Sequence, residues 1–410
     1  MKIYLVGGAV RDKLLNRPVK DRDWVVVGAS PAQMLAANYK PVGKDFPVFL
    51  HPETHEEYAL ARTERKSGKG YHGFTFFSEP SVTLEQDLIR RDLTINAIAQ
   101  DEDGNLVDPF NGVQDIKTKT LRHVSDAFRE DPLRVLRVAR FYARYARYGF
   151  TIAKGTLQLM CDIVAKGEIS HLTPERVWIE TEKALGEPRA ALYFQALRSC
   201  GVLEILFPEI ERLFGVPNPG RWHPEICTGV HTMLALEQAC LLTPNPVERF
   251  AALCHDVGKG LTAASDYPSH PGHEQGGEPP INQLCQRLKI PNKFRDLARI
   301  ASRYHTHVHR LNSLKPTTIV KMFQGMDAFR KPERVSQLAL VSKADATARP
   351  IYHNQPYPNA ELINELFHQA CDIDAAAIAQ SCSDDRQQIP TQIYNARVSK
   401  VKNFLRHVKP

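Results

Sequence analysis

The fold of this 410-residue chain is decided near its start, by LVGGAVRD at residues 5–12 and DRDWVVV at residues 21–27. The apolar run that ends at Val6 predicts a buried strand, and the glycine pair after it predicts a turn into a helix. Glycines at such a turn let the backbone approach a ligand closely, and a helix N-terminus offers N–H groups to a phosphate. The pattern therefore predicts a strand, a phosphate-binding turn and a helix at the beginning of the chain.

The second part of this stretch places two carboxylates beside another apolar run. Side chains alternate across a strand, so Asp21 and Asp23 are expected on the same face. Carboxylates in this arrangement can bind hard divalent cations, because Mg²⁺ prefers oxygen ligands. Two such metals about 4 Å apart can activate an attacking hydroxyl and neutralise a leaving pyrophosphate. The alternative is a glycine turn followed by two aspartates that only cap an exposed strand.

The chain changes character along its length. Short β-rich runs separated by Gly, Pro and Asn occupy the first 110 residues or so, and helical periodicity dominates from about Asp131 onward. Pro- and Gly-rich stretches interrupt the helical part at residues 214–224 and 349–359. We therefore predict an α+β head followed by helical modules. The four predicted segments are residues 1–140, 141–224, 225–348 and 349–410, the last of which is basic.

Composition excludes several classes of protein. Hydrophobic residues at 43% and charged residues at 24% are globular averages, which argues against wholesale disorder, collagen and coiled coils. No uninterrupted apolar run reaches the roughly 18 residues of a membrane-spanning helix, and the N-terminus does not resemble a secretory signal. The eight cysteines include no C-x-x-C pair, which predicts reduced thiols in a cytoplasmic protein. The net charge of +7 permits a polyanionic partner.

A row of arginines marks the first strongly helical segment. Its members, three or four residues apart, are Arg134, Arg137, Arg140, Arg144 and Arg147. At about 3.6 residues per turn they share one side of a helix, opposite an apolar face. No acidic residue lies between the first and the last of them, so nothing within the helix offsets their repulsion. We interpret the row as a surface that binds a triphosphate and an RNA backbone; a solvated basic face is the alternative.

Histidines and aspartates in the third segment have the composition of a metal site. In chain order they are His231, His255, Asp256, His273, His305 and Asp345. Imidazole and carboxylate ligands suit a divalent transition metal such as Ni²⁺, Mn²⁺ or Co²⁺, which can generate hydroxide for phosphoester cleavage. Any one of these histidines alone would more often be an ordinary polar residue. The ordered set favours a metal-dependent hydrolase site.

The N-terminal motifs resemble those of a known family. LVGGAVRD and DRDWVVVG, followed by RRDLTINA at residues 90–97 and EDPLR at residues 130–134, are similar in order and spacing to class II tRNA nucleotidyltransferases, the CCA-adding enzymes. The resemblance implies a polymerase-β-like nucleotidyltransferase head. It also implies an enzyme that uses CTP and ATP, with Mg²⁺, to build or repair the 3′-terminal CCA of tRNA and that releases pyrophosphate.

The same resemblance implies roles for individual residues. Asp21 and Asp23 would hold Mg²⁺, and Asp131 with Arg134 would recognise the Watson–Crick edges of CTP and ATP. A carboxylate accepts from the exocyclic amine that both bases carry, and a guanidinium donates to a ring nitrogen or carbonyl. The other implied nucleotide contacts are Gly8, Arg11, Arg91, Arg137 and Arg140.

The histidine set resembles the HD phosphohydrolase superfamily. This resemblance implies that Ni²⁺ or another divalent transition metal is bound by His231, His255, Asp256 and Asp345. His255 and Asp256 would stand at the catalytic centre, while His273 and His305 would line the site or hold phosphate. The implied activities are 2′,3′-cyclic phosphodiesterase, 2′-nucleotidase and phosphatase.

Several alternatives stay open. Poly(A) polymerases and A-adding relatives share the head motifs, and the chain could instead be an HD hydrolase whose head only binds tRNA. The third carboxylate of the Mg²⁺ site could be Glu57 or Asp92. Residues 65–70 are either the family's flexible segment or an ordinary solvated loop. The basic residues 386–410 either contact tRNA or only solubilise the terminus. The protein is expected to be a monomer or a homodimer.

Overall fold

The computed structural model describes residues 1–42, 48–66, 74–220, 227–349, 355–382 and 385–408. The chain divides into two compact units, Met1–Leu206 and Phe207–Pro410. The first unit combines a β-sheet with helices, and the described part of the second is helical, so the predicted α+β class is confirmed. The finer division into four segments stays a prediction. Of the predicted basic loop, Arg65 and Lys66 belong to a strand, and residues 67–70 lie outside the described residues.

The strands described in the first unit are short. Their bounds are β1 Lys2–Val6, β2 Asp23–Val27, β3 Lys40–Val42, β4 Val48–Leu50, β5 Glu57–Leu60, β6 Thr63–Lys66, β7 Phe74–Phe77, β8 Ala99–Gln100, β9 Leu106–Val107, β10 Thr120–Leu121 and β11 Thr151–Ile152. Seven of them form one sheet in the order β3-β4-β5-β2-β1-β8-β9. Its neighbours run antiparallel except β2 and β5, which are parallel. β6 pairs with β7, and β10 pairs with β11.

The central strand β2 sends apolar side chains to both faces of the sheet. Val25 packs with Val6 and Leu88 in one buried cluster. Val26 packs with Met34 and Phe49 in another. Because both faces are covered, the strand is a continuous apolar run rather than an alternating one. The core therefore holds β2 rigidly, and with it the aspartates at its start.

The glycine pair forms the predicted turn between β1 and a helix, α1, which spans Gly8–Leu14. Gly7 has φ +68°, a left-handed conformation that residues with a Cβ rarely adopt. A Cβ at Gly7 would also lie 2.9 Å from Nη1 of Arg91. Glycine is therefore needed at this position for the backbone turn and for the close approach of the arginine.

Helices make up the rest of the first unit. Their bounds are α2 Pro31–Ala36, α3 Leu84–Leu88, α4 Gly112–Lys117, α5 Leu133–Tyr145, α6 Lys154–Ala165, α7 Pro174–Leu185, α8 Ala190–Ser199 and α9 Val202–Leu206. α5 is the amphipathic helix that carries the arginine row, and it packs against α7 and α8. Its apolar face includes Val135, Leu136 and Ala139, all fully buried.

The second unit is built from helices throughout its described part. Their bounds are α10 Pro208–Glu211, α11 Thr228–Leu242, α12 Pro246–Cys254, α13 His273–Gly276, α14 Glu278–Arg287, α15 Asn292–His309, α16 Pro316–Gly325, α17 Glu333–Ala346, α18 Asn359–Cys371, α19 Ala375–Ser381 and α20 Ile389–Val408. α12, α15 and α17 pack together around Ala251, Leu297 and Ala344. Small side chains at these contacts let helix axes lie close together. None of the helices described here is both long and apolar enough to cross a membrane.

The basic C-terminal segment is a packed helix. Val401 and Leu405 of α20 are buried in a core to which α16 and α18 also contribute. The guanidinium carbon of Arg397 lies 3.4 Å from the centroid of the Phe329 ring. The segment thus has a structural role that the sequence alternatives did not include, and contact with tRNA stays a prediction.

We expect that no side chain is tolerated at Gly258, in the turn that packs against α13. A Cβ there would collide with the carbonyl oxygen of His273 and lie 2.7 Å from the amide nitrogen of Gly277. Because these are backbone atoms, Gly258→Ala should lower the free energy of unfolding by about 1–3 kcal/mol. Urea denaturation followed by circular dichroism measures this change.

Gly276→Ala is the matched control, since nothing lies within 4 Å of a Cβ at that position. This substitution should leave the stability unchanged or raise it slightly, because alanine favours a helix more than glycine does. Equal losses of stability in the two variants would contradict the steric explanation.

Candidate functional site

A cleft of about 540 Å³ in the first unit brings together the predicted nucleotide contacts. The predicted residues that line it are Gly8, Arg11, Asp23, Arg91, Asp131, Arg134, Arg137 and Arg140. A neighbouring cleft of about 480 Å³ shares Gly8, Arg11 and Asp23 with the first, and Asp21 also lines it. The two clefts therefore meet at the aspartates predicted to bind metal.

The aspartates stand at the beginning of the central strand. β2 starts at Asp23, so Asp21 precedes the strand rather than belonging to it, and both aspartates line the second cleft. The parallel register of β2 and β5 sets Asp23 beside Glu57. The pKa of Asp23 is raised, because desolvation and the charge of Asp21 outweigh the attraction of Arg91. Carboxyl groups that disfavour each other's ionisation favour a bound cation.

Asp92, the other candidate for the third carboxylate, has a different role. Its buried carboxylate accepts hydrogen bonds from Nε of Arg137 at 2.7 Å and from the side-chain amide of Asn96 at 2.9 Å. Burial alone would raise the pKa of Asp92, but Arg137 and these hydrogen bonds hold it well below the usual range. Of the two candidates, Glu57 is the one that lies beside Asp23 in the sheet.

The arginine row of α5 is largely paired rather than solvated. Arg134 and Arg140 are only 7% and 6% exposed, so the alternative of a solvated basic face is wrong for them. Each of three arginines has a nitrogen 2.7 Å from a carboxylate outside the helix: Arg137 with Asp92, Arg140 with Glu180, and Arg144 with Glu187. Acids from other elements therefore balance the charges that no acid within the row offsets.

An aromatic ring orders the guanidinium groups of the cleft. Phe141 is buried, and the guanidinium carbons of Arg11, Arg137 and Arg140 lie 5.5, 5.8 and 4.6 Å from its centroid. Cation–π attraction of this kind gains strength where water is excluded. The sequence pattern did not reveal this role, because Phe141 looks like one more apolar residue of the helix. The cleft thus holds a preorganised set of cations beside the aspartates.

The pair predicted to recognise the base lies at the start of α5. Asp131 accepts the backbone N–H of Leu133 through Oδ1 at 3.1 Å and Nη2 of Arg176 through Oδ2 at 2.9 Å. Arg134 donates from Nη1 to the carbonyl of Ala127 at 2.6 Å. Hydrogen bonds within the protein therefore orient both side chains. Arg176, on α7, also lines the cleft and was not identified from the sequence.

The second predicted site forms inside the second unit. Helices α11, α13, α15 and α17, with the two residues that follow α12, bring together His231, His255, Asp256, His273, His305 and Asp345. All six side chains are buried. Their possible ligand atoms form three overlapping groups of three, and within each group the atoms lie within 4.8 Å of one another. The structure thus brings together every residue of the histidine pattern.

Two carboxylates stand at the centre of this cluster. Oδ1 of Asp345 lies 2.8 Å from Nε2 of His231 and 3.7 Å from Nε2 of His255. Oδ2 of Asp256 lies 3.3 Å from the same nitrogen of His255. Burial lowers the pKa of His255, but the two aspartates outweigh it and raise the pKa to about 9. The cluster therefore favours a positive charge between its carboxylates, as a proton or as a metal ion.

Backbone hydrogen bonds fix the tautomers of three histidines. Nδ1 of His255, His273 and His305 bonds to backbone carbonyls at 2.7, 2.8 and 2.9 Å, respectively. A carbonyl only accepts, so each ring carries a proton on Nδ1, and in its neutral form Nε2 presents a lone pair for metal binding. The buried Nε2 atoms of His255 and His273 make no hydrogen bond to any described group. This donor set fits a divalent transition metal.

A second layer of hydrogen bonds supports Asp345. Nε2 of His309 lies 2.7 Å from Oδ2 of Asp345, and the hydroxyl of Tyr357 lies 2.7 Å from Nδ1 of His309. The carboxylate accepts, so the neutral imidazole donates from Nε2 and accepts the tyrosine proton on Nδ1. Outer hydrogen bonds of this kind orient metal ligands. His309 was missed from the sequence, although it lies four residues after His305 on the same face of α15.

Two sequence families match the N-terminal part of the chain. Residues 3–122 match the family described as "Poly A polymerase head domain". Residues 149–214 match the family described as "Probable RNA and SrmB- binding site of polymerase A". The first match contains the sheet, the glycine turn and the aspartates, and the second begins after α5. The histidine cluster of the second unit lies beyond both matched regions.

Solved structures with a similar fold cover almost the whole chain. One described as a CCA-adding enzyme, apo form II, is 18% identical with a TM-score of 0.67, and the match covers 98% of this chain and 88% of that one. The Bacillus stearothermophilus CCA-adding enzyme in complex with CTP is 23% identical with a TM-score of 0.63, covering 97% and 88%. The Thermotoga maritima CCA-adding enzyme complexed with tRNA is 20% identical with a TM-score of 0.64, covering 98% and 87%. The likeness confirms the predicted fold, a polymerase-β-like nucleotidyltransferase head with a mostly helical body.

Removal of a carboxylate that balances the arginine row should destabilise the first unit. Glu180→Ala leaves the buried guanidinium of Arg140 without its closest acid, so the free energy of unfolding should fall by about 3 kcal/mol. Thermal and urea denaturation of the purified variant measure the loss.

Lys183→Ala is the control, because Lys183 contacts the same Glu180 carboxylate at 3.8 Å but is 58% exposed. Its loss should cost no more than about 1 kcal/mol, since exposed ion pairs contribute little. If Glu180→Ala were as stable as Lys183→Ala, the buried pairs would not hold the helix in place.

Proposed function

We propose that this chain is a template-independent nucleotidyltransferase that builds or repairs the 3′-terminal CCA of tRNA from CTP and ATP. The observation that supports this most directly is the single cleft lined by Asp23, by the base-recognition pair Asp131 and Arg134, and by several oriented guanidinium groups. Nucleotide transfer needs metal ligands, phosphate contacts and base recognition within one site.

The carboxylates at the start of the central strand would hold Mg²⁺. Asp21 and Asp23 supply oxygen ligands, and Glu57 is the proposed third carboxylate because it neighbours Asp23 in the sheet. When bound, Mg²⁺ activates the attacking hydroxyl and neutralises charge on the departing pyrophosphate. The rigid β2 core fixes these ligands relative to the glycine turn.

The arginines of the cleft would bind and orient the triphosphate. Arg137 and Arg140 are held by Asp92 and Glu180, so they need little reorganisation when a nucleotide binds. Gly8, Arg11 and Arg91 would contact the phosphates beside the glycine turn. The tRNA 3′-hydroxyl would then attack the α-phosphate in line with the pyrophosphate, and catalysis would consist of positioning and charge neutralisation.

Base selection would depend on a feature that only two of the four nucleotides share. Cytosine and adenine carry an exocyclic amine at the position where uracil and guanine carry a carbonyl. The carboxylate of Asp131 would accept from that amine, and the guanidinium of Arg134 would donate to the neighbouring ring nitrogen or carbonyl. A protein side-chain pair would thus take the place of a nucleic-acid template.

Ligands of the structurally similar enzymes support this substrate class. CTP, ATP and tRNA are each named as ligands of CCA-adding enzymes whose fold this chain shares. We expect tRNA to be recognised by shape and backbone, since tRNAs of many sequences need the same 3′ end. A protein with this substrate would act in the cytoplasm, as a monomer or a homodimer.

We propose a second activity, a metal-dependent phosphohydrolase, for the histidine cluster of the second unit. The supporting observation is that buried Nε2 lone pairs and two carboxylates converge there. His231, His255, Asp256 and Asp345 would hold Ni²⁺ or a similar ion, which would supply hydroxide when bound. His273 and His305 would line the site. The proposed reactions are those of 2′,3′-cyclic phosphodiesterases, 2′-nucleotidases and phosphatases, which could clear a blocked 3′ end before nucleotide addition.

The main test offers a tRNA transcript that lacks CCA, together with Mg²⁺ and labelled CTP, ATP, GTP or UTP in turn. We expect two C additions followed by one A. Asp23→Ala should abolish them, whereas Asp103→Ala should not, because Asp103 is an exposed residue outside both clefts. Long A tails would indicate a poly(A) polymerase or A-adding relative instead. No incorporation by the unaltered protein would favour a hydrolase whose head only binds tRNA.

The second activity is tested by replacing one proposed metal ligand. Asp256→Asn should reduce Ni²⁺-dependent hydrolysis of 2′,3′-cyclic AMP by more than about 100-fold and should weaken Ni²⁺ binding measured by calorimetry. CCA addition should persist. Glu333→Ala removes an exposed carboxylate from the helix that carries Asp345 and should change neither quantity. Unaltered hydrolysis in Asp256→Asn would exclude this cluster as the site.

A further inference from the structure

Arg176 occupies a distinctive place in the nucleotide cleft. It lies in the first turn of α7 and lines the cleft, and its Nη2 donates to Oδ2 of Asp131 at 2.9 Å. The two side chains are 24% and 22% exposed, and both residues line the cleft. An arginine therefore touches the carboxylate to which the proposed function assigns base recognition.

The hydrogen bonds of Asp131 leave room for a base. Oδ1 accepts the N–H of Leu133 and Oδ2 accepts Nη2 of Arg176, so each oxygen has one donor among the residues that the structure describes. A carboxylate oxygen has two lone-pair sites, and each oxygen can accept once more. The two protein donors set the rotation of the carboxylate without blocking it.

The position of Arg176 is itself well supported. Glu180 lies one turn further along α7 and pairs with Arg140 of α5 at 2.7 Å. Val177 and Trp178 of the same helix are buried. Arg176 is therefore attached to a helix that a second, buried ion pair and apolar contacts hold against α5, and it can fix the direction of Asp131.

We infer that Arg176 is a specificity-determining positioning residue, which holds the Asp131 carboxylate ready to accept from the exocyclic amine of cytosine or adenine. The inference rests on the proposed function of this cleft. It assigns Arg176 an effect on which nucleotide is added, exerted through Asp131 rather than through contact with the reacting phosphate.

The chemistry of the four bases explains why a fixed carboxylate discriminates. An ionised carboxylate held in place attracts the amine of cytosine or adenine and repels the carbonyl of uracil or guanine at that position. A carboxylate released from Arg176 can rotate away from the carbonyl, which relieves the repulsion. Loss of Arg176 should therefore lower kcat/KM for CTP and ATP and reduce the discrimination against UTP and GTP.

The test compares all four nucleotides in single-addition assays on tRNA that lacks CCA or ends in CC. Arg176→Met keeps much of the side-chain length but cannot donate. The ratio of kcat/KM for CTP to that for UTP, and the corresponding ratio for ATP and GTP, should fall by about 10- to 100-fold. Arg176→Lys retains a charged donor and should recover part of the lost selectivity.

Two results would overturn the inference. A similar fall in kcat/KM for all four nucleotides would make Arg176 a contact of the shared triphosphate. A lower thermal stability with unchanged selectivity ratios would make it a purely structural residue of α7. Thermal denaturation of each variant therefore accompanies the kinetics.

Arg129→Met is the matched control, because Arg129 also donates to an aspartate, Asp162, at 3.1 Å but does not line the cleft. Its selectivity ratios should equal those of the unaltered protein.

The inference and the proposed function fail in different ways. If the unaltered protein added no CCA, the function would be wrong, whereas normal CCA addition with undiminished selectivity in Arg176→Met would refute only the inference.

Discussion

Pairing of the α5 arginines with acids from other elements is the constraint on which the nucleotide cleft depends. A helix with arginines three or four residues apart can bury them only if carboxylates of other elements pair with them. Asp92 of the head pairs with Arg137, and Glu180 of α7 pairs with Arg140. These bonds neutralise the charges and also fix α5 to both neighbours. Helix packing and cleft geometry therefore depend on the same ion pairs, and replacement of any of these acids should alter both.

Strands, turns and helices could be predicted from the sequence better than the long-range pairs between their residues. The run around Gly7 predicted the strand, turn and helix because strand periodicity and glycine conformation are local properties. The pairing of Arg137 with Asp92 is not local, since 45 residues separate them and no periodicity links the two. The choice of Glu57 over Asp92 as the neighbour of Asp23 could not be made from the sequence for a similar reason. β2 begins where Glu57 of a distant strand pairs with it, and the aspartate pattern does not contain that register.

The histidine cluster illustrates the same division. Its members could be predicted from residue type and order, because few combinations of imidazole and carboxylate suit a transition metal. The tautomers could not, since the carbonyls that bind Nδ1 of His255 and His305 take their positions only when the helices form. The contact between Tyr357 and His309 also depends on tertiary packing. The identity of the clustered residues could thus be predicted from the sequence, whereas the orientation of their side chains is a property of the fold.

A fixed Asp131 restricts how one site could use two bases of different size. Its oxygens bond to Leu133 and Arg176, so the carboxylate cannot follow the change from cytosine to adenine without breaking one of these contacts. In the proposed reaction the amine of each base must therefore come to the same oxygen, while the α-phosphate must stay beside the carboxylates at the start of β2. The difference in size between the bases must then be absorbed between these two fixed points, by rotation of the base and the sugar. The fixed carboxylate and the paired arginines Arg137 and Arg140 would thus hold the two ends of the nucleotide, and only its middle part would adjust from CTP to ATP.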